Sequence, residues 1–209
     1  ALLVNGHVEE RHEDAPRVQA EQVLPMVERL LAESGLKLGA LDAIAFGRGP
    51  GAFTGLRVAA SVAQGLAFGA GLPVVPVSDL AALAWSAHRA HSANQVVACL
   101  DARMGEIYWG AYGVSGRDVM ALSGEALSAP GDLQLQAKGP WFGAGSGWAA
   151  HGEALKDRVP RLLGVDSGLV PGATDVVALA ARAFSQGAAL PAGEALPVYL
   201  RDRVATPKL

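Results

Sequence analysis

The sequence predicts an α/β fold in two lobes, with mixed sheets flanked by helices. Three observations lead to this prediction. An Asn-Gly pair at positions 5 and 6 separates two short runs of strand formers, residues 1–4 and 7–10, which is the signature of a tight hairpin. Residues 42–77 then alternate strand, glycine loop, helix and strand. Residues 95–112 repeat the hairpin pattern, which indicates a second lobe related to the first.

The first half of the chain alternates helices and strands after the opening hairpin. Residues 16–34 predict a helix, since a proline at its first position is well tolerated, and Pro25 is expected to kink it. The apolar run 43–46 predicts a buried strand, and residues 54–68 predict a helix that its first residue, a threonine, would cap. A further buried strand is predicted at residues 74–77.

A glycine loop joins the strand 43–46 to the helix that follows. Its three glycines let the backbone take positive φ and leave amides uncovered by any Cβ. A Walker A phosphate loop would need Lys and then Ser or Thr after the last glycine, where Ala52 and Phe53 stand. A dinucleotide-binding loop would need a third glycine at the position of Thr54. The alternative interpretation is a tight turn with no ligand.

The helix over residues 54–68 has an unusual surface. Small residues recur at every fourth position and therefore share one face, the small-residue stripe: Gly55, Ala59, Ala63 and Ala67. A face this flat admits a second helix at close range, while the apolar residues on the remaining surface need a sheet to cover them. Because the helix is about 22 Å long and contains Arg57, it does not suit a membrane span.

The second half begins with the predicted hairpin of strands 95–100 and 106–112. Asp101 and Glu106 lie at its turn, where two carboxylates suit either acid–base chemistry or, as we favour, a turn and an ion pair. A second glycine loop at residues 143–147 either faces a nucleotide or forms a tight turn beside a tryptophan.

Two further helices are predicted from their N-caps. Ser78 would cap a helix that carries His88 and His91, and Thr174 would cap a helix over residues 173–186. The two histidines are three positions apart and share a helix face. They either bind zinc or, as is far commoner, are simply solvated near the helix end.

Composition limits the classes of function. The chain has 209 residues, of which 51% are hydrophobic and 18% charged, so it is long and apolar enough to bury a substantial core. Its net charge of −3 gives no general positive field for nucleic acid. The single cysteine, Cys99, and the lack of a secretory leader or a membrane-length apolar run favour the cytoplasm.

Four stretches of the chain resemble the bacterial TsaB family, formerly called YeaZ: GRGPGAFTGLRVAASVAQGLAFGAGLPVVPVS, LDARMGEIYWGAY, GAGSGW and PVYLRDRVA. The resemblance runs through nearly the whole chain. It implies the two-lobed fold of actin, sugar kinases and heat-shock ATPases, with an N-terminal lobe of residues 1–92 and a C-terminal lobe of residues 93–209. The last segment is expected to pack back on the first lobe. The family starts with a strand that is not seen here, so we expect that strand ahead of Ala1.

The resemblance implies a non-catalytic partner subunit. In this pathway TsaD transfers a threonylcarbamoyl group to the adenosine beside the anticodon of tRNAs that read codons starting with A, and TsaB proteins bind and stabilise TsaD. TsaE, an ATPase, completes the bacterial complex, so ATP or ADP and tRNA are expected only at the level of the complex. Where TsaD-like proteins hold a metal with two histidines, this sequence has Ser78, Asp79 and Leu83.

The resemblance also places the TsaD contact on the helices 16–34 and 54–68, paired with the same helices of the partner. The residues expected in this contact are Val23, Met26, Val27, Leu30, Gly55, Ala59, Ala63 and Ala67. The same surface would pair two copies of the chain into a homodimer in isolation, because related helices complement each other across a two-fold axis. Arg201 and Arg203 in the basic tail are the candidates for a direct tRNA contact.

The rival class is an enzyme, either a metal-dependent peptidase or a sugar-kinase-like phosphotransferase. Fold analogy alone suggests it. Such an enzyme needs a metal-ligand set or a phosphate loop, and neither is intact in this sequence.

Overall fold

The computed structural model describes residues 1–13 and 19–201. The elements of the first half are β1 (Leu2–Val4), β2 (His7–Glu9), α1 (Gln19–Ser34), β3 (Ile44–Gly49), α2 (Phe53–Ala70), β4 (Val74–Ser78) and α3 (Asp79–His91). Those of the second half are β5 (Gln95–Arg103), β6 (Glu106–Ser115), β7 (Asp118–Ala121), β8 (Ala126–Ser128), β9 (Trp141–Ala144), α4 (Ser146–Lys156), β10 (Leu162–Asp166) and α5 (Ala173–Ser185). The class is α/β with mixed sheets flanked by helices, as predicted.

The first half holds two small sheets. Strands β1 and β2 form the predicted antiparallel hairpin, and the turn residues Asn5 (φ 49°) and Gly6 (φ 84°) both have the positive φ that this turn requires. Strands β3 and β4 pair in parallel, with Ile44 opposite Val74. Within the described residues these two pairs are separate two-stranded sheets. A strand ahead of Ala1 stays a prediction.

The second half holds one larger mixed sheet. Its strand order is β10-β9-β5-β6-β7, with β8 also paired to β6. Strands β5 and β6 form the predicted hairpin, which extends to Arg103 and Ser115. Strands β9 and β10 add to it in parallel. This sheet and the helices packed on it bury most of the large apolar side chains, including Trp141 and Ile107.

The N-cap residues of two helices differ from the predicted threonines. The N-cap of α2 is Ala52 rather than Thr54, and the N-cap of α5 is Gly172 rather than Thr174. Both threonines lie inside the first helical turn, so the predicted caps are wrong. The predicted cap of α3 is confirmed, because the Ser78 hydroxyl accepts a backbone N–H of the first turn at 3.1 Å.

Helix α1 continues without a break through Pro25. The start predicted for this helix, at residues 16–18, lies outside the described residues. No helix within residues 1–13 and 19–201 is both long and apolar enough to cross a bilayer.

The packing of the helices crosses between the two halves. Helix α3 precedes the predicted boundary at residues 92 and 93, yet its fully buried Leu80 and Leu83 pack on the second sheet. Helix α5 follows that boundary, yet Ala180 packs against β4 of the first half. One helix of each half therefore covers the sheet of the other half. The boundary between residues 92 and 93 itself stays a prediction.

The C-terminal segment, residues 190–201, runs back along the first half. It starts beside β4, where the amide of Val74 donates to the carbonyl of Leu190 at 2.8 Å. It continues along α2, and the amide of Val198 donates to the carbonyl of Arg48 at 2.7 Å. Arg201 ends it on the β5–β6 hairpin, 2.7 Å from Glu106. The segment thus contacts both halves of the chain.

Candidate partner surface and glycine loop

The small-residue stripe predicted as a docking face is partly closed by the chain itself. Ala63 and Ala67 are only 4% and 0% exposed, in a core shared with β3, β4 and Ala195 of the C-terminal segment. Gly55 and Ala59 are half-buried. The partner contact predicted on this stripe stays a prediction, but Ala63 and Ala67 already pack within the chain, because the flat face admits the chain's own backbone at close range.

Helix α1 lies beside α2 and shows a similar division. The predicted contact residue Leu30 is buried in the chain itself. Val23, Met26 and Val27 are half-buried. Among the described side chains of this helix, the large apolar one that is exposed is Leu24, at 46%. Leu24 was not among the predicted residues.

The open side of α2 is turned away from the sheet. We call it the outer face of α2, and it comprises Val58, Ser61, Val62, Gly65, Phe68 and Gly69. Phe68 is 79% exposed. A Cβ built on Gly65 or Gly69 would meet no atom within 4 Å, so the backbone there is open to a close neighbour. The sequence does carry a signal for this face, because Val58, Val62, Gly65 and Gly69 fall in line at helical spacing.

The C-terminal segment flanks the first turn of α2. The rings of Phe53 and Tyr199 lie with their centroids 5.3 Å apart, and the Arg57 guanidinium sits 3.9 Å from the Phe53 centroid. Arg57 also donates to the Tyr199 hydroxyl at 3.2 Å. These contacts hold the segment against one edge of the helix and leave the outer face uncovered.

The glycine loop of residues 47–51 packs against Asp79 at the start of α3. A Cβ on Gly47 would overlap the Asp79 carboxylate, and one on Gly51 would lie 3.9 Å from Asp79 Oδ2. Burial raises the pKa of Asp79 to about 6, although the Gly49 amide and the Arg48 guanidinium lower it. The loop therefore accommodates a carboxylate of the chain itself.

A polar cluster extends from this loop to the second sheet. Arg48 contacts Glu125 at 3.2 Å, and the Tyr112 hydroxyl donates to the same carboxylate at 3.0 Å. The Ser78 hydroxyl lies 3.4 Å from that of Tyr112. Burial, helped by the Glu125 charge, raises the pKa of Tyr112, so it stays a neutral donor. The cluster joins β3 and β4 to the second half of the chain.

Asp79→Asn is expected to stabilise the protein, and more so at higher pH. The pKa of Asp79 rises from 3.8 to about 6 on folding, so ionisation disfavours the folded state and this group's contribution is lost as pH rises through about 6. The neutral variant should gain about 2–3 kcal/mol at pH 7.5 and about half of that at pH 5. Denaturant unfolding of both proteins at the two pH values measures this. An equal gain at both would contradict the raised pKa.

The candidate metal and acid–base residues have protein partners. His88 Nδ1 lies 3.0 Å from the carbonyl of Ala93. His91 Nε2 lies 2.8 Å from Asp166, and this hydrogen bond lowers the pKa of Asp166. Over residues 1–13 and 19–201, no group of three or more His, Cys, Asp or Glu side chains is placed to hold a metal. The zinc interpretation gains no support from this arrangement.

The turn of the second hairpin is an ion-pair site, as we favoured. Asp101 accepts the backbone N–H of Arg103 at 2.9 Å and contacts its guanidinium at 3.1 Å. Glu106 pairs with Arg201, which also donates to the carbonyl of Ala102 at 3.0 Å. The Arg201 guanidinium is thereby held by contacts within this chain. Arg203 lies outside the described residues.

The second glycine loop forms a tight turn beside a tryptophan, which is the second of the two interpretations given for it above. A Cβ on Gly143 would come within 2.5 Å of the Trp148 ring, and one on Gly147 within 2.8 Å of Cys99. Burial raises the pKa of the Cys99 thiol, which leaves it unreactive. The glycines bring α4 close to β5 and leave no room for a nucleotide between them.

The fold defines the class first: a two-lobed, actin-like protein, here with an exposed apolar face on helix α2. The family profile described as "TsaD: tRNA N6-adenosine threonylcarbamoyltransferase" matches residues 12–202. The tRNA threonylcarbamoyladenosine biosynthesis protein TsaB of Escherichia coli (strain K12) is 39% identical, over 100% of this chain and 92% of that protein. TsaB of Haemophilus influenzae (strain ATCC 51907 / DSM 11121 / KW20 / Rd) is 40% identical, over 100% and 91%.

A solved structure agrees with these relatives. The structure described as "YeaZ from Pseudomonas aeruginosa" is 45% identical, with a TM-score of 0.87 over 95% of this chain and 92% of that one. The chain therefore belongs to the TsaB (YeaZ) family, whose members are named for tRNA threonylcarbamoyladenosine biosynthesis.

Proposed function

We propose that this chain is a non-catalytic cytoplasmic subunit that binds and stabilises a TsaD transferase. The complex would form N6-threonylcarbamoyladenosine next to the anticodon of tRNAs that read codons starting with A. Membership of the TsaB family supports the pathway. The observation that carries the partner role is the outer face of α2, with Phe68 exposed between two open glycines.

The outer face of α2 has the properties of a helix-binding surface. An aromatic side chain this exposed buries its apolar area only when a partner covers it, and aromatic residues dominate the energy of many interfaces. Gly65 and Gly69 lie one helical turn apart and have open space in front of them, so a partner helix can approach the backbone closely. Val58 and Val62 add half-buried apolar surface beside them. We therefore place the TsaD contact on this face rather than on the small-residue stripe.

The remaining partners are those that the family resemblance implies. TsaE and tRNA would join through TsaD, so this chain touches tRNA only indirectly, and ATP or ADP would bind only in the complex. Without TsaD, two copies of this chain would cover each other's outer face of α2 in a homodimer. TsaD then competes with the second copy, because both use the same face.

The proposal is tested by mixing the purified chain with a bacterial TsaD and measuring mass by light scattering after size exclusion. We expect the chain alone to elute as a dimer and the mixture to contain a one-to-one complex. A mixture that elutes as the two separate proteins at micromolar concentration would contradict the partner role. Reconstituted modification of tRNA with and without this chain then measures what the contact contributes.

A further inference from the structure

The turn between strands β5 and β6 contains a methionine at a position that favours other residues. Met104 and Gly105 connect the paired residues Arg103 and Glu106, and both turn residues have positive φ, 56° and 78°. Two-residue turns of this kind favour Asn, Asp or Gly at their first position, because a longer side chain is strained at positive φ. Strain of this kind clusters at functional positions.

The Met104 side chain faces solvent on one side and a cation on the other. It is 72% exposed, and its sulfur lies 3.6 Å from Nη1 of Arg201. Arg201 is itself held in place, since it contacts Glu106 at 2.7 Å and donates to the carbonyl of Ala102 at 3.0 Å. The thioether is therefore open to reagents in water while it contacts a fixed hydrogen-bond donor.

Oxidation would change the strength of this contact. A thioether sulfur is a weak acceptor, whereas methionine sulfoxide is polar and accepts through its oxygen. A hydroperoxide makes this change in one two-electron step. With hydrogen peroxide, the sulfur lone pair attacks one peroxide oxygen, the O–O bond breaks, and the proton of the transferred oxygen passes to the leaving hydroxide, which gives sulfoxide and water. The sulfur is oxidised and the peroxide is reduced.

We propose that Met104 is a reversible oxidation site, and that its sulfoxide locks the C-terminal segment to the β5–β6 hairpin through Arg201. The guanidinium has five N–H donors, and a hydrogen bond from a charged donor to the sulfoxide oxygen is stronger than one to a thioether. Methionine sulfoxide reductases reverse the modification. The inference is independent of the proposed partner role, since it concerns a contact between the chain's own C-terminal segment and its second half.

The other two methionines lie in different surroundings and provide the comparison. Met120 is 58% exposed on the edge strand β7, and Met26 is half-buried on α1. Within residues 1–13 and 19–201, the methionine sulfur that accepts a hydrogen bond is that of Met104. Oxidation of Met120 is therefore expected to leave the C-terminal segment unaffected.

The experiment treats the full-length chain with hydrogen peroxide and follows hydrogen exchange of the Val198 amide by NMR. This amide donates to the carbonyl of Arg48 at 2.7 Å, so its exchange measures how often the C-terminal segment detaches. After oxidation we expect it to exchange about fivefold more slowly, because a charge-assisted hydrogen bond replaces a weak one. Exchange that is unchanged or faster when Met104 is fully oxidised would overturn the proposal.

Mass spectrometry of tryptic peptides identifies the oxidised residue, because the three methionines lie in three separate tryptic peptides. Met104→Leu keeps an apolar side chain of similar size that peroxide does not oxidise, while Met120 in this variant still reacts. Peroxide is expected to leave Val198 exchange in Met104→Leu unchanged. Equal slowing in this variant, or a Met104 that stays reduced when Met120 is fully oxidised, would count against Met104 as the site.

Arg201→Gln tests the guanidinium itself. This variant is expected to exchange the Val198 amide faster than the unmodified chain, and peroxide should not slow that exchange. The same slowing in Arg201→Gln as in the unmodified chain would show that the sulfoxide acts without the guanidinium. Treatment of the oxidised chain with methionine sulfoxide reductases of both epimer specificities should restore the original rate, and a rate that stays slow would contradict a reversible lock.

Discussion

Phe68→Asp is expected to weaken binding of TsaD by about 100-fold while leaving the fold intact. Phe68 is 79% exposed on the outer face of α2, so an aspartate there meets water in the free chain and costs little stability. In the complex it would be buried against apolar surface. Loss of an aromatic anchor together with burial of a charge typically costs about 3 kcal/mol, which is about 100-fold in affinity.

The matched control for this variant is Leu163→Asp. Leu163 is 74% exposed and lies on β10 of the second sheet, outside the outer face of α2. It receives the same negative charge in place of a similarly exposed apolar side chain and is expected to keep full affinity. Calorimetric titration of each variant with TsaD measures both affinities, and circular dichroism checks the folds. If the two variants bind TsaD equally well, the partner face lies elsewhere.

Gly145→Ala is expected to unfold the protein at moderate temperature. Gly145 has φ 97°, and a Cβ there would lie 2.5 Å from both the Cys99 carbonyl oxygen and a Leu83 methyl. The first neighbour is backbone of β5 and cannot move without disturbing the central hairpin. Backbone strain and overlap together should cost at least about 4 kcal/mol, or about 10 °C or more in Tm for a chain of this size.

Gly152→Ala provides the comparison within the neighbouring helix. A Cβ on Gly152 would meet nothing within 4 Å, and alanine is favoured over glycine in a helix by about 1 kcal/mol. Thermal unfolding followed by circular dichroism is expected to show a lower Tm for Gly145→Ala and an unchanged or higher Tm for Gly152→Ala. A Gly145→Ala protein as stable as the unmodified chain would show that the turn before α4 tolerates a side chain.

The elements with strong local signals were predicted correctly. The Asn5-Gly6 turn fixed the first hairpin because both residues accept positive φ. The run of residues 43–78 gave strand, loop, helix and strand in the right order. The hairpin at residues 95–112 followed from its apolar and alternating strands.

The elements that were missed have weak local signals. Strands β7, β8 and β10 are five residues or fewer, and in none of them do apolar and polar residues alternate along the sequence. Their pairing with β6 and β9 determines them. The caps at Thr54 and Thr174 were wrong for a related reason, because the geometry of the preceding loop decides where a helix starts.

The partner surface shows what the spacing of residues along a helix can predict and what it cannot. The repeat of small residues in α2 was real, but two similar lines of small residues share this helix, one on each side. Spacing alone did not distinguish the line at Ala63 and Ala67, which the chain's own β3 and C-terminal segment cover, from the open line at Gly65 and Gly69.

The sequence by itself determined the local turns, the periods of the main strands and helices, and the family, since all of these depend on neighbouring residues or on motifs. Three features were decided by the tertiary structure alone. These are which face of α2 is open, that α3 and α5 each cover the sheet of the other half, and that the Asp79 carboxylate packs against the glycine loop. These features depend on contacts between residues that are distant in the chain. Such contacts form only when the apolar faces find their partners, so no local pattern specifies them.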